Sequence, residues 1–499
     1  MSYSKDHTFQ LTIRPNSEDI EVRVFDGYNK EVYHDFGYAE IPLTKGYYTV
    51  QWQYYGHFQE KVIRLSEDQT VELEAPQIYS AAPIEGAATT HEYYLDPAVQ
   101  WSKNETAPAI GDNNRLDSKI FVFIRGVDLQ RSAALDIIGQ FGLFDKQGKE
   151  VARLEGGLIQ TGPNQSWLAY SVRGSSGQYY LRYYRGIPRE IPVFLFRGWQ
   201  TQIFLTYQKR PIFEGMRIFL ASFNEGFIAN NQEAVFMDRA IQSISNNLPI
   251  PKNQSRFMLS EKVEHPMHGF LWAYGALQRF DYYKDRVRTI EIVIRNLKNS
   301  ILNDSEAPDI KALQVLFYQK TGGIIDNTPI TNLVISEPPM FALGLKAVID
   351  AATEFEDLVP ANSYLDQISA NLYSDIVWAS WEYPMESQEP EEAAIGQERG
   401  IWGYEIDPNA STPDWMLSTI AISMEENYQK NKRFNISEEV SVKQLAKSAQ
   451  IPLSTMQRTV DSIGQSSELQ DRMTKIVNDM NLESSADNMM EKLSKLEKK

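Results

Sequence analysis

The chain has no cysteine among its 499 residues. That one absence excludes disulfide frameworks, thiolate zinc sites and cysteine nucleophiles together, and a chain this long without disulfides fits a reducing interior. Long apolar runs are missing too. No stretch approaches the roughly 18 residues a membrane helix needs, and Met1 to Gln10 is polar and charged, without the apolar core of a secretory signal. The expectation is a cytoplasmic protein with no membrane contact. Positive charge is short as well, the formal net charge being -17. This balance disfavours a general nucleic-acid binder or a protein held on anionic membrane by its own charge, although a local basic element can still act alone.

Catalytic signatures are also lacking. There is no Gly-x-Ser-x-Gly elbow, no Walker phosphate loop, no Gly-x-Gly-x-x-Gly after a strand and no His-Glu-x-x-His. His265 and His268 form the one close histidine pair, and three residues apart on a helix they can point the same way. With Pro266 between them and no carboxylate at matching spacing, no metal site is assigned and no cofactor is expected. The chain reads as a non-enzyme.

What is present is apolar mass: 42% hydrophobic and 12% aromatic content, enough for several packed cores in about three or four domains. The centre of gravity is Glu264 to Leu316. Met267, Phe270, Leu271, Tyr274 and Leu277 fall on one helical face while Trp272, Ala273, Ala276 and Phe280 cover the other, and a helix apolar on both faces has to be central. Val287, Ile290, Ile294, Leu297 and Ile301 repeat the logic, and a third helix starts at Pro308.

Before this core, residues 1–76 alternate with period two between turn signals such as Asp26-Gly27 and Lys45-Gly46, which predicts a small antiparallel β-sandwich. The piece Ile41-Pro42-Leu43-Thr44-Lys45-Gly46-Tyr47-Tyr48-Thr49-Val50 resembles the hairpin of PEGA-like and carboxypeptidase-regulatory-like sandwiches, and a generic sandwich would also produce it. Residues 77–115 are read as a linker or an ordered strap, with His91-Glu92-Tyr93-Tyr94 favouring the strap. A second antiparallel sandwich is predicted over 116–225, with runs at Ile120–Ile124, Gly139–Phe144, Trp167–Val172, Tyr179–Tyr184, Val193–Phe196 and Gln202–Tyr207 and a solvated hairpin tip at Ser171–Gly177. Its aromatics, among them Tyr179, Tyr180, Tyr183, Tyr184, Trp199 and Tyr207, suit strands in general and a sugar or base platform in particular.

Residues 226–381 then read as an all-α domain whose last helix spans Tyr364 to Trp381. Here His265-Pro266-Met267-His268-Gly269, Ala307-Pro308-Asp309-Ile310-Lys311-Ala312-Leu313 and Leu358-Val359-Pro360-Ala361-Asn362-Ser363 resemble an uncharacterised bacterial helical family. Some of its members are encoded beside caspase-like or CHAT peptidases in defence-type operons. That resemblance implies a protein partner, such as a caspase-like peptidase, and carries no catalytic residue across. An acidic linker at 382–412 follows, with Glu386, Glu391 and Glu392 as proteolysis-prone positions.

The sharpest local pattern lies within 413–465. Ser441 with Gln444, and Ser454 with Gln457, each fit a capping box, so two helix starts are written there. Val442, Leu445, Ala446 and Ala449 form one inner face, and Leu453, Met456, Val460 and Ile463 the other. The stretch resembles the helix-turn-helix of transcription regulators, with Gln450 where that family's turn usually has Gly, a left-handed position that costs a non-glycine residue something. The resemblance implies that Ser454, Thr455, Gln457 and Arg458 would face a major groove, with Lys443 and Lys447 near phosphates; such hairpins also serve as protein-docking modules. The tail, 466–499, is expected to be a partner-binding helix or partly disordered until bound.

The fold class expected is thus multidomain α+β: two antiparallel β-sandwiches, an all-α domain and a C-terminal helix-turn-helix. The function expected is a non-enzymatic adaptor, regulator or protease substrate in a bacterial antiphage-type defence system. A DNA-binding transcription regulator and a carbohydrate-binding protein are the alternatives.

Overall fold

The computed structural model describes residues 8–15, 20–27, 30–54, 57–73, 80–84, 94–112, 115–126, 140–161, 166–184, 188–207, 211–230, 232–261, 265–302, 304, 306–369, 372–373, 377–382, 412–434, 440–480, 482 and 484–496. The acidic stretch with Glu386, Glu391 and Glu392 lies outside them.

Period-two alternation builds the first seven strands. Thr8–Pro15 (β1) buries Leu11 and Ile13 and pairs with Ala39–Thr44 (β4) and Gln69–Leu73 (β7). Glu31–Phe36 (β3), Glu21–Asp26 (β2), Gly46–Tyr54 (β5) and His57–Leu65 (β6) form a four-stranded sheet in that order. Both sheets feed one hydrophobic cluster that includes Leu11, Val22, Val24, Val50, Leu65 and Val71. The pairing departs from a purely antiparallel expectation, because β1 and β7 run parallel. Parallel neighbours need a long connection, and here the five intervening strands supply it.

Within 77–115 the described residues pack on the body. Ala81, Ala82 and Ile84 are buried in the main cluster, Ser80 Oγ donates to Asp238 Oδ1 at 2.7 Å, and Leu95–Lys103 folds as a helix (α1). The second β-region has two sheets. One runs Leu158–Thr161 (β11), Ser166–Gly174 (β12), Ser118–Gly126 (β8), Trp199–Tyr207 (β15), Pro211–Ser222 (β16), with β8 and β15 parallel. The other begins Glu150–Arg153 (β10), Phe141–Asp145 (β9), Gly177–Tyr183 (β13), Arg189–Leu195 (β14). The β12 strand runs to Gly174 with Ser171 buried, so the exposed tip is shorter than the expected Ser171–Gly177.

Helices Gln232–Ser245 (α2), Lys252–Glu261 (α3), Pro266–Gln278 (α4), Val287–Asn296 (α5), Pro308–Thr321 (α6) and Ala342–Ala352 (α7) follow. As expected from its two apolar faces, α4 is buried from Pro266 through Leu277. Asp309 at the start of α6 is fully buried. Its carboxylate accepts from the amides of Met340 and Phe341, at 2.9 and 3.1 Å, fixing how the chain enters α7. Burial raises this carboxyl to about 6.

The helix expected over Tyr364 to Trp381 is a correction. Among the described residues of that stretch only Tyr364–Ile368 is helical (α8), and the chain then forms Leu372–Tyr373 (β17) and Ser380–Glu382 (β18), which extend the second sheet beside β14. Tertiary pairing overrode a chance 3.6-residue spacing. Trp378 and Trp381 are completely buried, Trp378 Nε1 donating to Met216 O at 3.0 Å, and a single hydrophobic cluster runs from Ala81 to Trp381.

Asp414–Phe434 (α9), Val442–Ala449 (α10), Leu453–Gln465 (α11), Ser467–Asp479 (α12) and Ala486–Leu496 (α13) make up the C-terminal region around a third cluster. The described part of the tail, expected to be a partner-binding helix or partly disordered until bound, is helical, with Leu469, Met473, Val477, Met489 and Leu493 buried in that cluster. The capping box at Ser441 and Gln444 is present. The second is absent, since α11 begins at Leu453 behind Pro452 and the Ser454 and Gln457 side chains are used elsewhere. The chain is thus a mixed α+β protein, strand-rich toward its N-terminus and helical at its C-terminus. Among the described residues no helix is long and apolar enough to cross a membrane.

Candidate interface between α8 and α11

The start of α8 is a tight turn. Asn362 adopts a left-handed φ of 62°, Ser363 caps the helix by accepting from the Asp366 amide, and Asp366 Oδ2 accepts from the Asn362 amide at 2.9 Å. These local bonds point the Asp366 carboxylate at α11. Ser454 Oγ donates to Oδ1 at 2.9 Å, Thr455 Oγ1 donates to the same oxygen, and Arg458 Nη1 donates to Oδ2 at 2.5 Å. The carboxylate is fully buried while the Arg458 side chain is about one-third exposed (34%). A buried carboxylate is tolerated only when its lone pairs are filled, and here both oxygens are served.

The opposite side of α8 is tied to the sheet. Tyr364 Oη donates to Glu190 on β14, which also pairs with Arg182 on β13. Burial lifts the Glu190 carboxyl to about 7, outweighing the attraction of Arg182. A five-residue helix therefore links the central sheet to the C-terminal helices.

Of the six residues expected to face DNA, Ser454, Thr455 and Arg458 converge on Asp366. Lys447 reaches Glu354 at 3.4 Å, and Gln457 bonds Asp461 within its own helix at 2.8 Å; Lys443 is exposed. Five of the six are thus engaged by the protein itself, three of them on Asp366. The turn between α10 and α11 behaves as its sequence foretold, Gln450 lying at φ 53°, ψ 47°. Asp366 was missed. The Ser363-x-x-Asp366 spacing marks a helix start, but nothing local names a partner nearly ninety positions away.

Beside this contact lies a cleft of about 610 Å³ between α6 and α7 on one side and the α9 and α10–α11 elements on the other. It is lined by Leu316, Leu343, Lys346, Trp415 and Ile451 among others. A second cleft, of about 800 Å³, lies near the β9–β10 turn, where Arg115, Lys146 and Lys149 alternate with Asp112, Asp145 and Glu150. Glu306 and Glu337 complete its charged lining.

The remaining candidates resolve as packing. Tyr179, Tyr180, Tyr183 and Tyr207 are buried in the main cluster, with Tyr184 and Trp199 packed against it, so no aromatic platform faces solvent there. The His265 and His268 rings sit 4.6 Å apart, and burial lowers them to about 4 and about 3, which keeps both neutral. Among the described residues no group of three metal-capable side chains assembles. Compared with known proteins, the chain matches neither a family model nor a curated sequence.

Proposed function

We propose that this protein is a non-enzymatic regulator or adaptor whose C-terminal helical module is stored against the body and released to act. The observation that carries the reading is the convergence of Ser454, Thr455 and Arg458 on Asp366. Two further features support it. The module's hydrophobic cluster shares no residue with that of the body, so separation exposes little core, and the covalent connection from Glu382 to Thr412 is long. In this reading the paired sheets are accessory sandwiches and α10–α11 is a helix-turn-helix. A peptidase of the caspase-like class in a bacterial defence system, cutting among Glu386, Glu391 and Glu392, would leave the module held by noncovalent contacts such as the Asp366 cluster and the Lys447–Glu354 pair.

Arg458→Glu tests this. Placing a second carboxylate beside buried Asp366 should undock the module. Small-angle scattering should then report a larger radius of gyration with unchanged circular dichroism. An unchanged radius would refute the storage reading.

The α10–α11 geometry favours a second reading, DNA recognition after release. It requires that Arg458→Glu, which removes a phosphate-binding charge, weaken binding to duplex DNA at low salt.

A further inference from the structure

We propose that the α11 face carrying Ser454, Thr455 and Arg458 is a docking site for a carboxylate on an acidic segment of a partner protein, and that Asp366 fills this site as an internal competitor. The inference rests on the storage reading above and names the chemistry of the ligand that would replace Asp366.

The donor arrangement selects the ligand. On α11 two hydroxyls serve one oxygen and the guanidinium serves the other, which also accepts from the Asn362 amide of Asp366's own turn. That division matches a planar, two-oxygen carboxylate. Charge points the same way. Residues 412–499 contain thirteen acidic and twelve basic residues, so the module lacks the net positive field that duplex DNA recognition draws on. The remainder of the chain carries nearly all of the -17 net charge, and the cation on this face is held by one of its carboxylates.

The module's own side of the neighbouring cleft supplies a second anchor. Ile451 offers apolar wall there and Trp415 stands 43% exposed at its edge. An acidic segment with one apolar side chain complements that lining. Tethered Asp366 competes at an effective concentration on the order of millimolar, so the site is closed to weak ligands until the contact is broken.

The test uses the full chain and a fluorescein-labelled peptide of residues 360–369, which carries the Asp366 turn in trans. By fluorescence anisotropy, the Asp366→Ala chain should bind this peptide at least about tenfold more tightly than the unmutated chain. Adding Arg458→Ala should abolish the gain. If Asp366→Ala does not fold, the unmutated chain provides the second measurement: millimolar peptide should expand the particle in scattering, and a peptide lacking the aspartate should not. Equal peptide binding by both chains, or no expansion, overturns the proposal. So does a 20-base-pair duplex that binds the Asp366→Ala chain in preference to the peptide. Should Arg458→Glu undock the module while the peptide fails to bind, this inference falls and the storage reading stands.

Discussion

Arg458 of α11 meets Asp366 of α8 across 92 positions of sequence, with Nη1 2.5 Å from Oδ2. One partner is fully buried and the other is partly solvated, so their mutual dependence exceeds that of a surface pair. A double-mutant cycle with Arg458→Ala and Asp366→Asn should give a coupling energy of about 1–3 kcal/mol. Amide exchange of α8 and α11 measures it; additive single effects would show that the two side chains act independently.

Gln450 holds a left-handed conformation that a side chain makes costly. Gln450→Gly should relieve that cost, offset in part by the greater freedom of the unfolded chain, for a net gain of about 0.5–1 kcal/mol. The denaturant midpoint of the C-terminal helices is the readout, and the Asp366 contact should be unaffected.

Gly344 of α7 lies against the Tyr274 hydroxyl and the Ala312 methyl, too close for an added Cβ without movement. Gly344→Ala forces α7 away from α4 and α6. A loss of about 1–3 kcal/mol is expected, read as a lower melting temperature of the body.

Two pairs of buried groups set opposing pH dependences. Glu190 and Asp309 have folded pKa values raised to about 7 and about 6, so the folded state holds their protons more tightly. Stability falls as pH rises from the unfolded carboxylate range through those values. His265 and His268, lowered to about 4 and about 3, act in the reverse sense, and stability falls as pH drops below about 6.5. Between pH 5 and 7, Glu190→Gln should remove a decline on the order of 2 kcal/mol. The slope of stability against pH is the measurement, because Arg182 loses its partner whatever the pH.

Periodicity made the buried helix α4 and most strands of the first two regions readable, since burial on both faces or on alternate residues leaves a direct mark in composition. The Ser441–Gln444 box was readable because both of its bonds are local. The segment after Ser369 was not. Leu365, Ile368 and Leu372 kept helical spacing while the free edge of β14 drew Ser380–Glu382 into a sheet, and pairing partners about 190 residues apart leave no trace in a short window. The same limit hid Asp366, whose role is defined wholly by residues from another part of the chain.

The late strands β17 and β18 have a consequence for chain length. Strand β18 pairs with β14 at Arg189 and Glu190 and β17 pairs in turn with β18, so a product ending before Leu372 would leave that end of the β14 edge unpaired. An uncovered edge of this kind templates strand addition between molecules. Premature termination there would favour aggregation over a smaller folded protein.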